Sequence, residues 1–214
     1  MEKRDAKPGK LKTAILNWLG VYDWLSGGGG NVSGSSDTGV TVTTETSLTL
    51  AAVWACNRLI SQTISTLPID IYERMPDGSR KSASELRTAK IIHSSPNAET
   101  MSSVFWEAFV CNILLQGNGF AEKLYMGNVL VGLDLLQSER LTWQTDINGD
   151  YQFTYITNNG TRRIIPADKI FHVPGFTTTG KFGMSVIRYG AQVFGSALAA
   201  NSAANSTFKN GLAP

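Results

Sequence analysis

A chain of 214 residues with 42% hydrophobic and 9% aromatic residues carries enough apolar side chain for a substantial core, which excludes a wholly disordered protein. Its 19 Lys and Arg against 17 Asp and Glu leave a net charge of only +2, too balanced for a surface devoted to gripping phosphates, so any nucleic-acid contact must be local. No run approaches the ~18 consecutive apolar residues of a spanning helix, and the basic N-terminus lacks a signal-peptide cleavage site, which predicts a protein that is soluble and cytosolic when made, with no membrane partner.

Residues 1 to 10 are charged and read as disordered; Lys3, Arg4, Lys7 and Lys10 predict a weak, salt-sensitive DNA contact. Leu11, Ile15, Trp18, Leu19, Tyr22 and Leu25 follow at helical spacing and predict a short amphipathic helix. Its basic residues precede the helix instead of lining its polar face, which favours a seat on the protein body or on a neighbouring subunit over a membrane surface. The stretch SGGGGNVSGSSDTG, 26 to 39, costs much backbone entropy to order and reads as a flexible linker. It is no phosphate loop, because neither a strand before it nor a Lys-Ser/Thr pair after it is present. Residues 1 to 46 are thus predicted as a flexible segment, and 47 to 214 as the folded body.

Leu50, Val53, Trp54, Asn57, Ile60, Ile64 and Leu67 keep a helical stripe that Pro68 ends, predicting a buried helix of about five turns that anchors the core. PIDIYERM and the Asp77-Gly78 pair predict a hairpin. Ser82 and Glu85 form an S-x-x-E capping box for a helix running to about His93. A further apolar helix, with Val104, Phe105, Ala108, Cys111 and Leu114, is stopped by Gly117. From Phe120 to Val173 short β-rich runs alternate with Gly127-Asn128, Asn148-Gly149 and Asn159-Gly160, the pattern of an antiparallel meander. A glycine-rich loop, Gly175 to Gly183, leads into a long helix from Val186 to Asn210, whose many Ala, Ser and Gly residues predict packing against other helices; Gly211 stops it. The fold class is α+β: helices packed with an antiparallel meander, then a long C-terminal helix.

Little in the chain carries catalytic chemistry. His93 suits a helix C-terminus and His172 a strand, without the ligand spacing of a metal site. DINGD, 146 to 150, places its Gly fourth, where a calcium loop needs it sixth. Cys56 and Cys111 read as inert core thiols. Asp134 and Glu139 are the carboxylates a hydrolase would draw on, but no paired acid and base stand out. No catalytic residue, metal or cofactor is assigned. Lys181, with Thr177 to Thr179, could meet an anion or a neighbouring chain, or sit in a mobile loop; Arg162 and Arg163 could face phosphate or end a solvated strand. These three cations are the candidate nucleic-acid contacts.

Several phrases in succession resemble a known family: a Trp54-bearing helix followed by Leu67-Pro68, then Ser95-Pro96-Asn97, then Gly117-Asn118 closing a helix, then His172-Val173-Pro174, and finally GMSVIRYGAQVFGSALAANSAANSTFKNGLAP. Together, from about Thr46 to Pro214, they resemble the N-terminal half of phage portal proteins of the HK97-like family. Trp54, Pro68, Pro96, Asn97, Gly117, Asn118, His172 and Pro174 mark the matching positions. The resemblance implies a structural protein and not an enzyme: a homo-oligomeric ring, usually a dodecamer, at one vertex of the virion capsid, assembled in the host cytoplasm. Double-stranded DNA would pass through its channel, with the terminase large subunit, major capsid and scaffold proteins and head-tail connector proteins as partners. Residues 47 to 173 would be wing-type material and the last helix would lead toward the stem. Family members continue past FKNGLAP, so the resemblance also implies a truncated chain. A stand-alone protein-binding module without ring or DNA is the alternative.

Overall fold

The computed structural model describes residues 33–145 and 150–211. The amphipathic segment at 11 to 25, the N-terminal basic residues, the Asn148-Gly149 turn with most of DINGD, and Leu212 to Pro214 lie outside the described residues.

The folded body begins earlier than expected. β1 (Ser33–Ser35) and β2 (Thr41–Thr43) pair antiparallel, so part of the expected linker is a hairpin. Its small residues serve packing: Val42 is fully buried, and Gly34 lies so close to Ala191 that a Cβ would overlap that side chain. Thr43 then caps α1 (Thr44–Leu48) through a reciprocal box with Thr46.

α2 (Ala51–Ser65) forms where the stripe predicted a helix, but it is not buried. Trp54 is 51% exposed, Ile60 and Ile64 are each 42% exposed and Leu67 is 57% exposed. Only one side of α2 lies on α4, with Val53 and Asn57 half-buried and Ser61 buried. Helical spacing reports an apolar face without reporting what covers it. Cys56 is accordingly exposed and no core thiol, whereas half-buried Cys111 packs at the edge of the Val42, Leu115, Ile187 and Ala191 core; its Sγ accepts the Asn57 amide at 2.9 Å.

β3 (Tyr72–Arg74) and β4 (Arg80–Ser82) form the expected hairpin, with Gly78 at φ 83° and Asp77 Oδ1 accepting from Ser79 N. The Ser82/Glu85 box does not form. Ser82 is instead paired with Tyr72 in the hairpin, and α3 (Arg87–His93) starts later, after Leu86 and without a side-chain cap. α4 (Ser102–Gln116) ends at Gly117, whose φ of 82° is the left-handed stop predicted for it.

The expected single meander is two sheets. β5 (Asn118–Met126) pairs with β6 (Val129–Leu136) on one edge and with β10 (Ile170–Pro174) on the other, all antiparallel. β7 (Leu141–Thr145), β8 (Tyr151–Ile156) and β9 (Arg162–Pro166) make the second sheet. Alternation along β5 builds three layers. Phe120 faces the second sheet in a core with Leu136, Leu141, Trp143, Phe153 and Ile165. Ala121, its neighbour, faces the helices in a core with Ile91, Phe105, Trp106, Phe109 and Leu133.

The last helix is broken at Gly190 into α5 (Val186–Tyr189) and α6 (Ala191–Asn210). The start of α6 packs on other helices as expected, with Ala191, Phe194 and Leu198 against Leu48, Val53, Leu115 and Ile187, and on the β1–β2 hairpin as well: Ala191 and Gly195 are buried, and a Cβ on Gly195 would overlap Ser36. From Ala200 onward every described residue is exposed.

Candidate functional site

The matching motifs fall into three places, and the densest lies at the end of α4. The left-handed turn at Gly117 brings its carbonyl to the Gly175 N–H at 2.7 Å. Buried Asn118 then uses its whole side chain on the glycine loop and on β10. Its Oδ1 accepts from Gly183 N at 2.8 Å and lies 2.9 Å from His172 Nε2, while its Nδ2 donates to the Gly183 carbonyl at 3.0 Å. Because Oδ1 only accepts, His172 carries its proton on Nε2. Its ring stacks on Phe120 at 4.4 Å, and burial pulls the imidazole down to about 4 from its ordinary 6.5. Pro174 is opposite Asn118 in the strand register. Ser185 completes the knot, donating to the Leu115 carbonyl at 2.7 Å and capping α5 through Arg188 N.

The glycine loop is therefore no free surface loop. Met184 N donates to the Phe176 carbonyl at 2.7 Å, closing its neck. Phe182 is buried and stacks on Trp143 at 4.4 Å. Phe176 and the tip, 178 to 181, stand in solvent, with Lys181 Nζ 5.7 Å above the Tyr151 ring. Gly183, Ser185 and Ser138, which donates to the Asn118 carbonyl at 2.8 Å, escaped sequence reasoning. The one legible signal was Ser185 directly before an apolar helix start.

Pro96 and Asn97 form the second place, beside β6. The Pro96 carbonyl accepts from Leu133 N at 2.7 Å and Asn97 Nδ2 donates to the Leu133 carbonyl at 3.1 Å, which occupies the outer edge of β6. Trp54 and Pro68 mark the third, near the start of α2 and just past its end, and the Arg58 guanidinium lies 5.1 Å from the Trp54 ring. Two grooves flank α2. One, of about 600 Å³, runs between Trp54, Ser61 and Val104. The other, of about 360 Å³, is walled by α2, α4, α5 and α6 and is apolar apart from Asn57.

The three candidate cations are not brought together. Arg163 is taken up by Glu122, with Nη1–Oε1 at 3.2 Å and Nη2–Oε2 at 2.5 Å, so it does not stand ready for phosphate. Arg162 pairs with Ile156 at one end of β8 and Lys181 covers Tyr151 at the other, roughly 17 Å apart at strand rise. The two carboxylates are also structural: Glu139 accepts from the Gln116 amide at 2.7 Å, and Asp134 stands across from Glu122 in the sheet. Desolvation, and then the Glu122 charge, raise the Asp134 pKa. His93 closes α3 with Nδ1 3.9 Å from Asp70. Among the described residues no group of three or more His, Cys, Asp or Glu could hold a metal ion, and no helix is long and apolar enough to cross a membrane.

This architecture has known counterparts. The chain is 33% identical over 197 residues to the probable portal protein of Streptomyces phage phiC31, covering 86% of this chain and 42% of that protein. It is 26% identical over 215 residues to the portal protein of Enterobacteria phage HK97, covering 94% and 50% respectively. It thus spans half or less of the length of these two curated relatives. In three dimensions it resembles a chain of the neck of a native gene transfer agent particle computed with C12 symmetry, with a TM-score of 0.63 at 21% identity, over 94% of this chain and 52% of that one. The phage portal protein family model matches residues 51–214. With its motifs placed among helices and antiparallel sheets, and the family model covering most of its length, the chain belongs to the phage portal protein family.

Proposed function

We propose that the protein is a structural subunit of a portal ring at a capsid vertex, the gate through which double-stranded DNA is packaged and later leaves. The observation that carries this reading, beside the family, is the set of large apolar side chains exposed around α2. Trp54, Leu59, Ile64 and Leu67 stand partly in water on several sides of α2 and just beyond its end, more large apolar side chain than a protein working alone would usually leave uncovered. A ring closed by heterologous contacts covers such side chains, and the C12 symmetry of the similar neck chain supports a twelvefold ring.

In that ring, the described body is wing-type material and α6, whose second half is exposed throughout, projects toward the stem. The terminase large subunit, capsid and scaffold proteins and connector proteins are the partners this role requires. The loop tip at Lys181 and the strand end at Arg162 would be the points that approach DNA or a neighbouring subunit, while a net charge of +2 suits a channel that lets DNA slide. The work is geometric and needs no catalysis.

Light scattering after size exclusion tests this on the product of the complete reading frame, alone and with the capsid and scaffold proteins. Rings are expected. A monomer under all of these conditions, unfolding in one cooperative transition, would overturn the proposal in favour of a stand-alone binding module.

A further inference from the structure

The second groove beside α2 has an occupant within reach. Its floor and walls are Val53, Cys56 and Ile60 of α2, Leu115 of α4, Ile187 of α5 and Phe194 of α6. At about 360 Å³ it has room for roughly two benzene-sized groups, which need about 150 Å³ each. Its rim is apolar as well: Ile60 and Val186 are 42% and 55% exposed. An apolar side chain seats there without leaving a charge unpaired, and a charged one does not.

The described chain begins at Ser33, on a strand packed against α5 and α6, the same two helices that supply Ile187 and Phe194. Gly34 abuts Ala191, which precedes Phe194 by one helical turn. Seven residues, 26 to 32 and mostly glycine, separate Ser33 from the segment whose Leu11, Ile15, Trp18, Leu19, Tyr22 and Leu25 share one helical face. Such a tether spans up to about 25 Å, ample for a groove walled by the helices at its own anchor. An isolated helix of about 15 residues is marginal in water and needs a surface for its apolar face.

We infer that residues 11 to 25 dock as an amphipathic helix into the α2–α4–α5–α6 groove of their own chain, with Trp18 and Leu19 at the centre of the contact. The tether sets an effective concentration of order millimolar, so a modest intrinsic affinity keeps the groove filled. This docking is independent of ring formation: it closes one flank of α2 and leaves the Trp54 flank open for other contacts.

Cys56, exposed in the groove, is a native reporter. Maleimide labelling of the intact chain, with each cysteine followed by peptide mass spectrometry, is compared with a Trp18→Asp/Leu19→Asp double variant. The expected result is Cys56 labelling slower in the intact chain by on the order of tenfold, the ratio set by the docked population, at a rate independent of protein concentration. Cys111 labelling should stay equal in both, which shows the body folded. A Leu19→Cys variant should in addition form a disulfide between the introduced thiol and Cys56, at monomer mass, under mild oxidation. Equal Cys56 rates in the two proteins would overturn the inference. So would protection that appears only in assembled rings and survives the double variant, because a second copy would then be covering the groove; that outcome would leave the portal reading intact.

Discussion

Asn118 spends both atoms of its amide on groups from two distant stretches of chain, so its neighbours tolerate little change. Gly117 combines a φ of 82° with a position where a Cβ would stand 2.5 Å from the Met184 carbonyl carbon. Gly117→Ala is therefore expected to cost about 3 kcal/mol or more, read as a lowered urea midpoint at unchanged slope. His172 sets a pH dependence. Its imidazole titrates near 4 when folded against 6.5 when unfolded, so between these values the unfolded chain binds the extra proton. The contribution is complete above about pH 6.5 and is lost progressively as pH falls toward 4. Thermal melts across this window should drop more steeply for the native protein than for His172→Gln, which keeps a donor for Asn118 without the titration. Parallel pH profiles would remove His172 as the cause. The glycine stop at Gly117 was legible because turn chemistry is local. The role of Asn118 was not, since nothing near it in sequence points to Gly183, 65 residues away.

At the scale of elements the instructive case is α2. Its boundaries follow from local rules, a stripe of apolar residues ended before Pro68, yet its burial depends on partners that no periodicity encodes. Treated as a core helix, α2 would lose more than about 3 kcal/mol on introduction of a charge at Ile64. With Ile64 at 42% exposure, Ile64→Asp should instead cost the chain about 1 kcal/mol. The same substitution should weaken self-association, measured by sedimentation velocity, because the charge falls among the apolar side chains that α2 leaves partly in water. A large loss of monomer stability with unchanged association would return α2 to the core. The hairpins show the converse. Gly78, Gly127 and Gly160 all adopt positive φ where the sequence placed turns, because a tight turn is a property of two to four residues. The Ser82/Glu85 box failed for a local reason as well: strand pairing to Tyr72 claimed Ser82 first.

For the whole molecule, the question is what holds two three-stranded sheets in register when one hairpin series could have made a single meander. The apolar answer is the Phe120, Trp143, Phe153 and Phe182 cluster between them. The polar answer is Arg163 of β9, which crosses to Glu122 of β5. Neither was legible, since β10 returns to β5 from some 50 residues away and sheet membership is decided by such long-range pairing. Glu122 is only 9% exposed and faces Asp134 across the strand, so removing the guanidinium leaves two neighbouring carboxylates without their counter-charge. Arg163 is itself nearly half exposed, and solvent screening reduces the penalty. Arg163→Met should accordingly cost about 1 to 2 kcal/mol at neutral pH. Part of that loss should be regained as pH falls and Asp134, whose pKa is already raised by desolvation and the Glu122 charge, takes up a proton, opposite in sign to the His172 effect. Adding Glu122→Leu to Arg163→Met should restore stability at neutral pH, because the uncompensated charge is then gone. If the double variant is instead no better than the single one, the pair acts through the packing of the Arg163 stem and not through its charge, and the aromatic cluster alone joins the sheets.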